Sequence, residues 1–223
     1  HNVISGVKKT LEYADIIPGI EVSASEGPHI LIYFERYGDL EAYYNDKIRD
    51  NHTTCPHLAI KLGTEEIVES AKNAGGLVVA AHPYGYGIAV RGVMKGIITR
   101  VLPESAADNL DGLEVLCSGL TRECNGFAET FAKEHNLCMT GGSDAHVSWD
   151  VGVSVSVGSP GADPVQMLEE IREKKTGVAG LERNFIRKAV QGLCMTPLYI
   201  PWLPALLYTH MQQHILRIKK MMK

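Results

Sequence analysis

The sequence predicts an α/β protein built on a parallel sheet or barrel, and three observations carry that prediction. Short apolar runs alternate with amphipathic segments along most of the 223 residues. The shortest of these runs are bounded by Gly, Pro or Asp, as buried parallel strands tend to be. Chemically loaded side chains fall at or just past the ends of the runs, where parallel α/β proteins assemble their sites.

Residues 4–13 pattern as a helix, followed by β-rich runs at 16–22 and 29–34. Helical patterning returns at 40–49 and at 64–74. The second of these has Glu65 and Glu66 in its first turn, as the helix dipole prefers, and Gly75-Gly76 as a stop. Apolar runs at 77–81 and 113–116 read as buried strands, 121–135 as a helix and 137–140 as a short strand. Residues 151–157 alternate. The segment 164–174 is a helix opened by Asp163 as N-cap and Pro164 in its first turn. No repeat or low-complexity stretch interrupts the order.

The polar residues are Glu21 in one strand, His82-Pro83 after another, and Ser143-Asp144-Ala145-His146 after a third. With His1 and His29 they make the candidate set His1, Glu21, His29, His82, Asp144 and His146. Mixed imidazole and carboxylate donors suit Zn²⁺, Mn²⁺ and Fe ions, whereas Mg²⁺ prefers sites built mostly of oxygen. A carboxylate inside an apolar strand, as at Glu21, is costly unless it is paired or metal-bound. Two or three ions held close together can clamp both the attacking and the leaving oxygen in a phosphoryl transfer. His52, His57, His135, His210 and His214 read as structural or surface residues.

In chain order, Pro18-Gly19-Ile20-Glu21-Val22, Gly27-Pro28-His29-Ile30-Leu31, Ala81-His82-Pro83, Asp111-Gly112-Leu113-Glu114-Val115 and Gly142-Ser143-Asp144-Ala145-His146 resemble the PHP (polymerase and histidinol phosphatase) superfamily of metal-dependent phosphoesterases. His1-Asn2 resembles the end of that family's Thr-Asp-His-Asn motif. The resemblance implies a distorted (β/α)7 TIM-like barrel around two or three divalent ions. Ligand roles then fall to His1, Glu21, His29, His82, Asp144 and His146. His82, His146 and Asp144 become the catalytic candidates, and Arg91, in a glycine-rich loop, a holder of substrate phosphate. Cys117 is left outside the ligand set.

The implied reaction is hydrolysis of a phosphoester by a metal-activated water, on a nucleotide, a short nucleic acid or a small phosphomonoester. The family's His-x-His motif is absent, and His1 stands where an internal histidine is expected. The chain therefore reads as lacking the first β-α-β segment of its barrel and as impaired in metal binding. The alternative is an inactive PHP-like scaffold that binds RNA or a protein partner.

Five cysteines (Cys55, Cys117, Cys124, Cys138 and Cys194) include no CxxC pair, so a reducing, cytoplasmic setting with mostly buried thiols is expected. Charge divides the chain. Residues 183–223 hold seven basic groups and no acidic one, against 15 basic and 26 acidic groups before them. The organisation expected is thus a phosphoesterase domain over 1–182 and a basic helical tail over 183–223. In the tail, Leu207, Met211, Ile215, Ile218 and Met222 lie on one helical face. That face reads first as packing on the barrel, next as docking a partner or an anionic membrane surface, and third as a nucleic-acid contact. No transmembrane helix is expected, because Pro197, Pro201 and Pro204 interrupt the apolar run.

Overall fold

A computed structural model of the chain describes residues 2–53, 59–85 and 90–222. The first half runs α1 (Val3–Thr10), β1 (Gly19–Ser23), β2 (His29–Tyr33), α2 (Tyr37–Tyr43), α3 (Thr64–Asn73), β3 (Leu77–Ala80) and α4 (Val93–Ile98). The second half runs β4 (Gly112–Cys117), α5 (Arg122–Glu134), β5 (Cys138–Gly142), β6 (Ser154–Val157), α6 (Pro164–Arg172), β7 (Gly177–Gly180), α7 (Phe185–Tyr199) and α8 (Leu203–Met221).

Strands β1 to β5 form one sheet in sequence order. β2 runs antiparallel to both β1 and β3, whereas β3, β4 and β5 are parallel, as their apolar runs predict. β6 and β7 form a separate antiparallel pair. β6 meets β5 through a side chain: Gly141 N donates to Ser156 Oγ at 2.9 Å, and that hydroxyl lies 3.3 Å from Gly141 O. Among the described residues the sheet is therefore open, and the expected (β/α)7 closure is not seen. A serine bridge stands where a β5–β6 ladder would be, and no described strand pairs with the outer edge of β1.

One face of the sheet carries the larger core, in which Ile20, Val22, Ile30, Ile32, Val78, Ala80, Leu113 and Val115 pack against Ile67, Val68 and Ala71 of α3 and Ala128 and Ala132 of α5. The opposite face carries a smaller cluster of Leu77, Val79 and Cys138 under Leu168 and Ile171 of α6. Helix starts follow local chemistry. Thr121 Oγ1 accepts from Cys124 N at 3.2 Å, and Asp163 Oδ1 from Gln166 N at 2.8 Å, with Pro164 behind it in the first turn. Two short elements carry no signal in the pattern. The glycines of β7 have little strand preference, and it forms by pairing with β6; α4 follows a glycine-rich loop. The helix expected at 40–49 loosens after Tyr43 into a π turn over Tyr44–Ile48.

Buried Glu170 on α6 accepts from Ser159 N at 2.8 Å, and this bond holds its carboxyl below the ordinary value of 4.5. A group with a depressed folded pKa adds stability above its unfolded pKa and loses it as pH falls through the folded value. Glu170→Gln is therefore expected to melt below wild type at neutral pH and to converge with it in acid. Thermal melts across that range check this, and a gap independent of pH would contradict it.

The tail departs from expectation twice. Pro197 sits inside α7, while Pro201 and Pro204 occupy first turns where a proline costs no hydrogen bond, so helicity persists. By length and composition alone, the run Phe185–Lys220 is apolar enough to cross a membrane, with none of its apolar window buried. The packing of α8 is also inverted. Leu207, Met211, Ile215, Ile218 and Met222 are exposed, whereas Thr209 and Gln213 are buried. Hydrogen bonds from Arg217 and Lys220 to the Ser25–Gly27 turn reward the polar face instead.

Candidate metal centre

Side-chain alternation places the site. Ile20 and Val22 point into the larger core, so Glu21 between them projects from the other face. Glu114, between Leu113 and Val115, does the same. Because β2 runs opposite to β1 and β3, its first residue, His29, lies at the sheet edge where β1 and β3 end. The register pairs Glu21 with Leu31 and Ser23 with His29, which makes Glu21 and His29 diagonal neighbours on one face. His82 lies just past the end of β3, and Asp144 just past the end of β5.

Two of these side chains converge on one carboxylate oxygen of a third. His29 Nδ1 donates to Glu21 Oε1 at 2.7 Å, and His82 Nε2 lies 3.4 Å from the same oxygen. The two imidazoles meet edge to face, with centroids 4.9 Å apart. The ligand atoms of Glu21, His29 and His82 all lie within 4.8 Å of one another, a spacing that one ion could bridge. Beside them is a cavity of about 210 Å³ lined by Glu21, Leu31, Tyr33, His82, Glu114 and Asp144, among others. A donor set of two imidazoles and a carboxylate, with more carboxylates lining the cavity, fits a divalent ion of the Zn, Mn or Fe type.

Electrostatics support the same grouping. Burial pushes the Glu21 carboxyl upward, but hydrogen bonds from His29 and His82 outweigh it and hold the group well below the usual carboxylate range. For His29 burial wins and its pKa falls. For His82 the bond to Glu21, with the charges of Glu21, Asp144 and Glu114, overcomes burial and raises it. Glu114 is 5% exposed, and burial lifts its carboxyl to about 7 against the opposing pull of His82. Burial, then the charges of Glu114 and Asp144, push the Cys117 thiol upward, which disfavours the thiolate a metal would need.

His82 and Asp144 have backbone φ of 30° and 47°, in the half of conformational space that favours glycine. Partners hold both in place. His82 N donates to Glu114 Oε2 at 2.8 Å, and the Asp144 carbonyl accepts from Arg183 Nη2 at 3.1 Å.

Of the residues singled out in the sequence, the fold brings Glu21, His29 and His82 together and places Asp144 on the same cavity. His146 turns back on its own loop, with Nδ1 3.0 Å from the Asp144 carbonyl and 3.6 Å from Asp144 Oδ1, outside the three-residue cluster. Arg91 Nη1 donates to His29 Nε2 at 3.2 Å, which leaves the other ring nitrogen protonated toward Glu21. His1 lies outside the described residues. Glu114 is the residue that motif reading left without a role. Its signal, a lone carboxylate within Leu113–Val115, is the one that marks Glu21.

Comparison with known proteins adds the following. Residues 122–176, which include Asp144 and His146, match the family model described as PHP-associated. No curated protein sequence matches the chain. Among solved structures, PsfC from Pseudomonas syringae aligns with a TM-score of 0.53 at 16% identity, over 82% of this chain and 66% of that one. The lesion-specific endonuclease Q from Pyrococcus furiosus aligns with a TM-score of 0.54 at 22% identity, over 74% of this chain and 41% of that one. An endonuclease Q complex with a 27-mer duplex carrying an abasic lesion at its active site gives 0.53 at 18% identity, over 74% and 42%. The chain thus spans about two-fifths of endonuclease Q and about two-thirds of PsfC. At these identities the likeness is one of fold. The chain carries a PHP-associated segment within a fold shared with endonuclease Q, which bears out the resemblance read from its motifs.

Proposed function

We propose that the chain is the catalytic part of a PHP-type, metal-dependent phosphoesterase. The observation that carries this reading is the convergence of Glu21, His29 and His82 at the mouth of a cavity lined by two further carboxylates. Divalent ions in such a site supply Lewis-acid charge and an activated water. The chain's own groups do the rest. Glu21 stays ionised between two imidazoles and orients both rings. Glu114 holds the His82 backbone in its strained conformation, and Asp144 adds a further carboxylate to the cavity lining. His82 is placed to move a proton when it is not serving as a ligand, and Arg91 to pair with a phosphoryl oxygen. In this reading the five-stranded sheet and the β6–β7 pair are two arcs of a distorted (β/α)7 barrel, joined where Ser156 bonds Gly141.

Hydrolysis of a generic phosphoester with added Mn²⁺ or Zn²⁺ tests the reading. Asp144→Ala is expected to lower turnover by roughly 100-fold or more. Unchanged turnover in that variant would sink the assignment. Purified protein that holds no divalent ion would point instead to a scaffold that binds RNA or a protein partner.

A further inference from the structure

Helix α8 brings its polar face to the rim of the metal centre. Arg217 Nε donates to the Glu26 carbonyl at 2.9 Å and Nη2 to the Val90 carbonyl at 3.5 Å. Lys220 Nζ reaches the buried Glu26 carboxylate at 2.7 Å, which also accepts from Thr64 N at 3.1 Å. Glu26 is therefore neutralised by Lys220, and the charge of Arg217 is left over. The approach depends on Gly27, at φ 119°, where a Cβ would lie 2.5 Å from both the Val90 carbonyl oxygen and Arg217 Nη2.

Arg217 thereby bonds the residue before Arg91, and burial, then the charge of Arg91, lower its pKa; Arg91 in turn is tied to His29 twice. His29 N donates to the Arg91 carbonyl at 2.8 Å, and Arg91 Nη1 donates to the His29 ring. Among the described residues, neither arginine has a carboxylate within ion-pair distance. His210 joins them: burial, then the charges of Arg91 and Arg217, pull its pKa down. Two part-buried guanidiniums without a counter-charge repel each other, and an anion between them removes that cost. Phosphate suits them best, because each planar fork can bond it through two N–H groups.

We propose that Arg91 and Arg217 form a second phosphate site at the rim of the metal centre, so that the substrate is a phosphoester carrying another phosphoryl group beyond the one hydrolysed. This rests on the phosphoesterase reading above. Two sources share the required chemistry: a bisphosphorylated small molecule, and the neighbouring phosphate of a nucleic-acid strand. The tail helix is then part of the substrate site and not a separate appendage.

The test uses the full chain without added metal. Inorganic phosphate and pyrophosphate are titrated calorimetrically into wild type, Arg91→Gln, Arg217→Gln, Arg217→Lys and the exposed control Lys219→Gln. Both glutamine variants are expected to lose about tenfold in affinity, with Arg217→Lys between them and wild type and Lys219→Gln unchanged. Arg217→Lys keeps the docking charge, so it guards against the trivial loss of α8. Unaltered phosphate binding in both glutamine variants overturns the proposal. Because this readout needs no turnover, it stands apart from the hydrolytic reading, which Asp144→Ala tests separately. A nucleoside 3′,5′-bisphosphate and a short single-stranded oligonucleotide, each compared between wild type and Arg217→Gln, then separate the sources by which ligand weakens. If neither weakens, the site is not a substrate site.

Discussion

Replacing Glu21 by glutamine is expected to empty the proposed metal centre. The substitution keeps the shape of the side chain but removes the one charge on which both imidazoles converge. His29 would face a neutral amide where it now meets a carboxylate at 2.7 Å, and His82 would lose the charged partner that keeps its pKa up against burial. Loss of an outer partner of a ligand typically costs 10–100-fold in metal affinity, and loss of an anionic ligand costs at least that. Elemental analysis of the purified variant, with calorimetric titration of Mn²⁺ or Zn²⁺, checks the expectation. Phosphoester turnover should fall in step with occupancy. If Glu21→Gln retains as much metal as wild type, the centre does not lie between β1 and β2.

The second large effect belongs to stability. Arg183 Nη1 and Asp150 Oδ2 are 2.7 Å apart, and both side chains are 1% exposed. Arg183 also bonds Gln191 on α7, and its backbone N–H donates to the Ser118 carbonyl at 2.8 Å. Removing one member of a buried pair strands the other charge, at a cost of about 3–5 kcal/mol. Arg183→Met is thus expected to lower the melting temperature by about 6–20 °C in a chain of this size. The double variant Arg183→Met, Asp150→Leu should recover much of the loss, because the penalty lies in the unpaired charge. Thermal melts of the two variants decide this. Equal destabilisation in both would show that the contribution comes from packing and not from charge. Arg183 Nη2 also holds the Asp144 carbonyl, so the single variant should bind metal more weakly even where it remains folded.

The charge count groups Arg183 with the basic tail, yet its guanidinium is internal. Sequence position reports charge but not whether a partner such as Asp150 waits 33 residues upstream. By contrast, Glu21, His29, His82 and Asp144 are legible from the residues alone. Each is a polar group in or just past an apolar strand, where burial would be costly without a partner, and the strand directions gather these positions at one edge of the sheet. Glu114 carries the same local signal, but its role depends on how β3 and β4 lie side by side, which brings its carboxylate to His82 N. The orientation of α8 runs against its own periodicity. Apolar spacing predicts which residues share a face, and it does so correctly here. Which face turns inward depends on what the body offers at the contact, here Glu26 and two free carbonyls.

The strained backbone at His82 and Asp144 has a consequence for how this protein can change over time. A non-glycine residue in the left-handed region costs about 1–3 kcal/mol, and glycine at either place would relieve it while deleting a side chain that lines the cavity of the candidate centre. Selection for thermal robustness alone would therefore favour losing the centre, one glycine at a time.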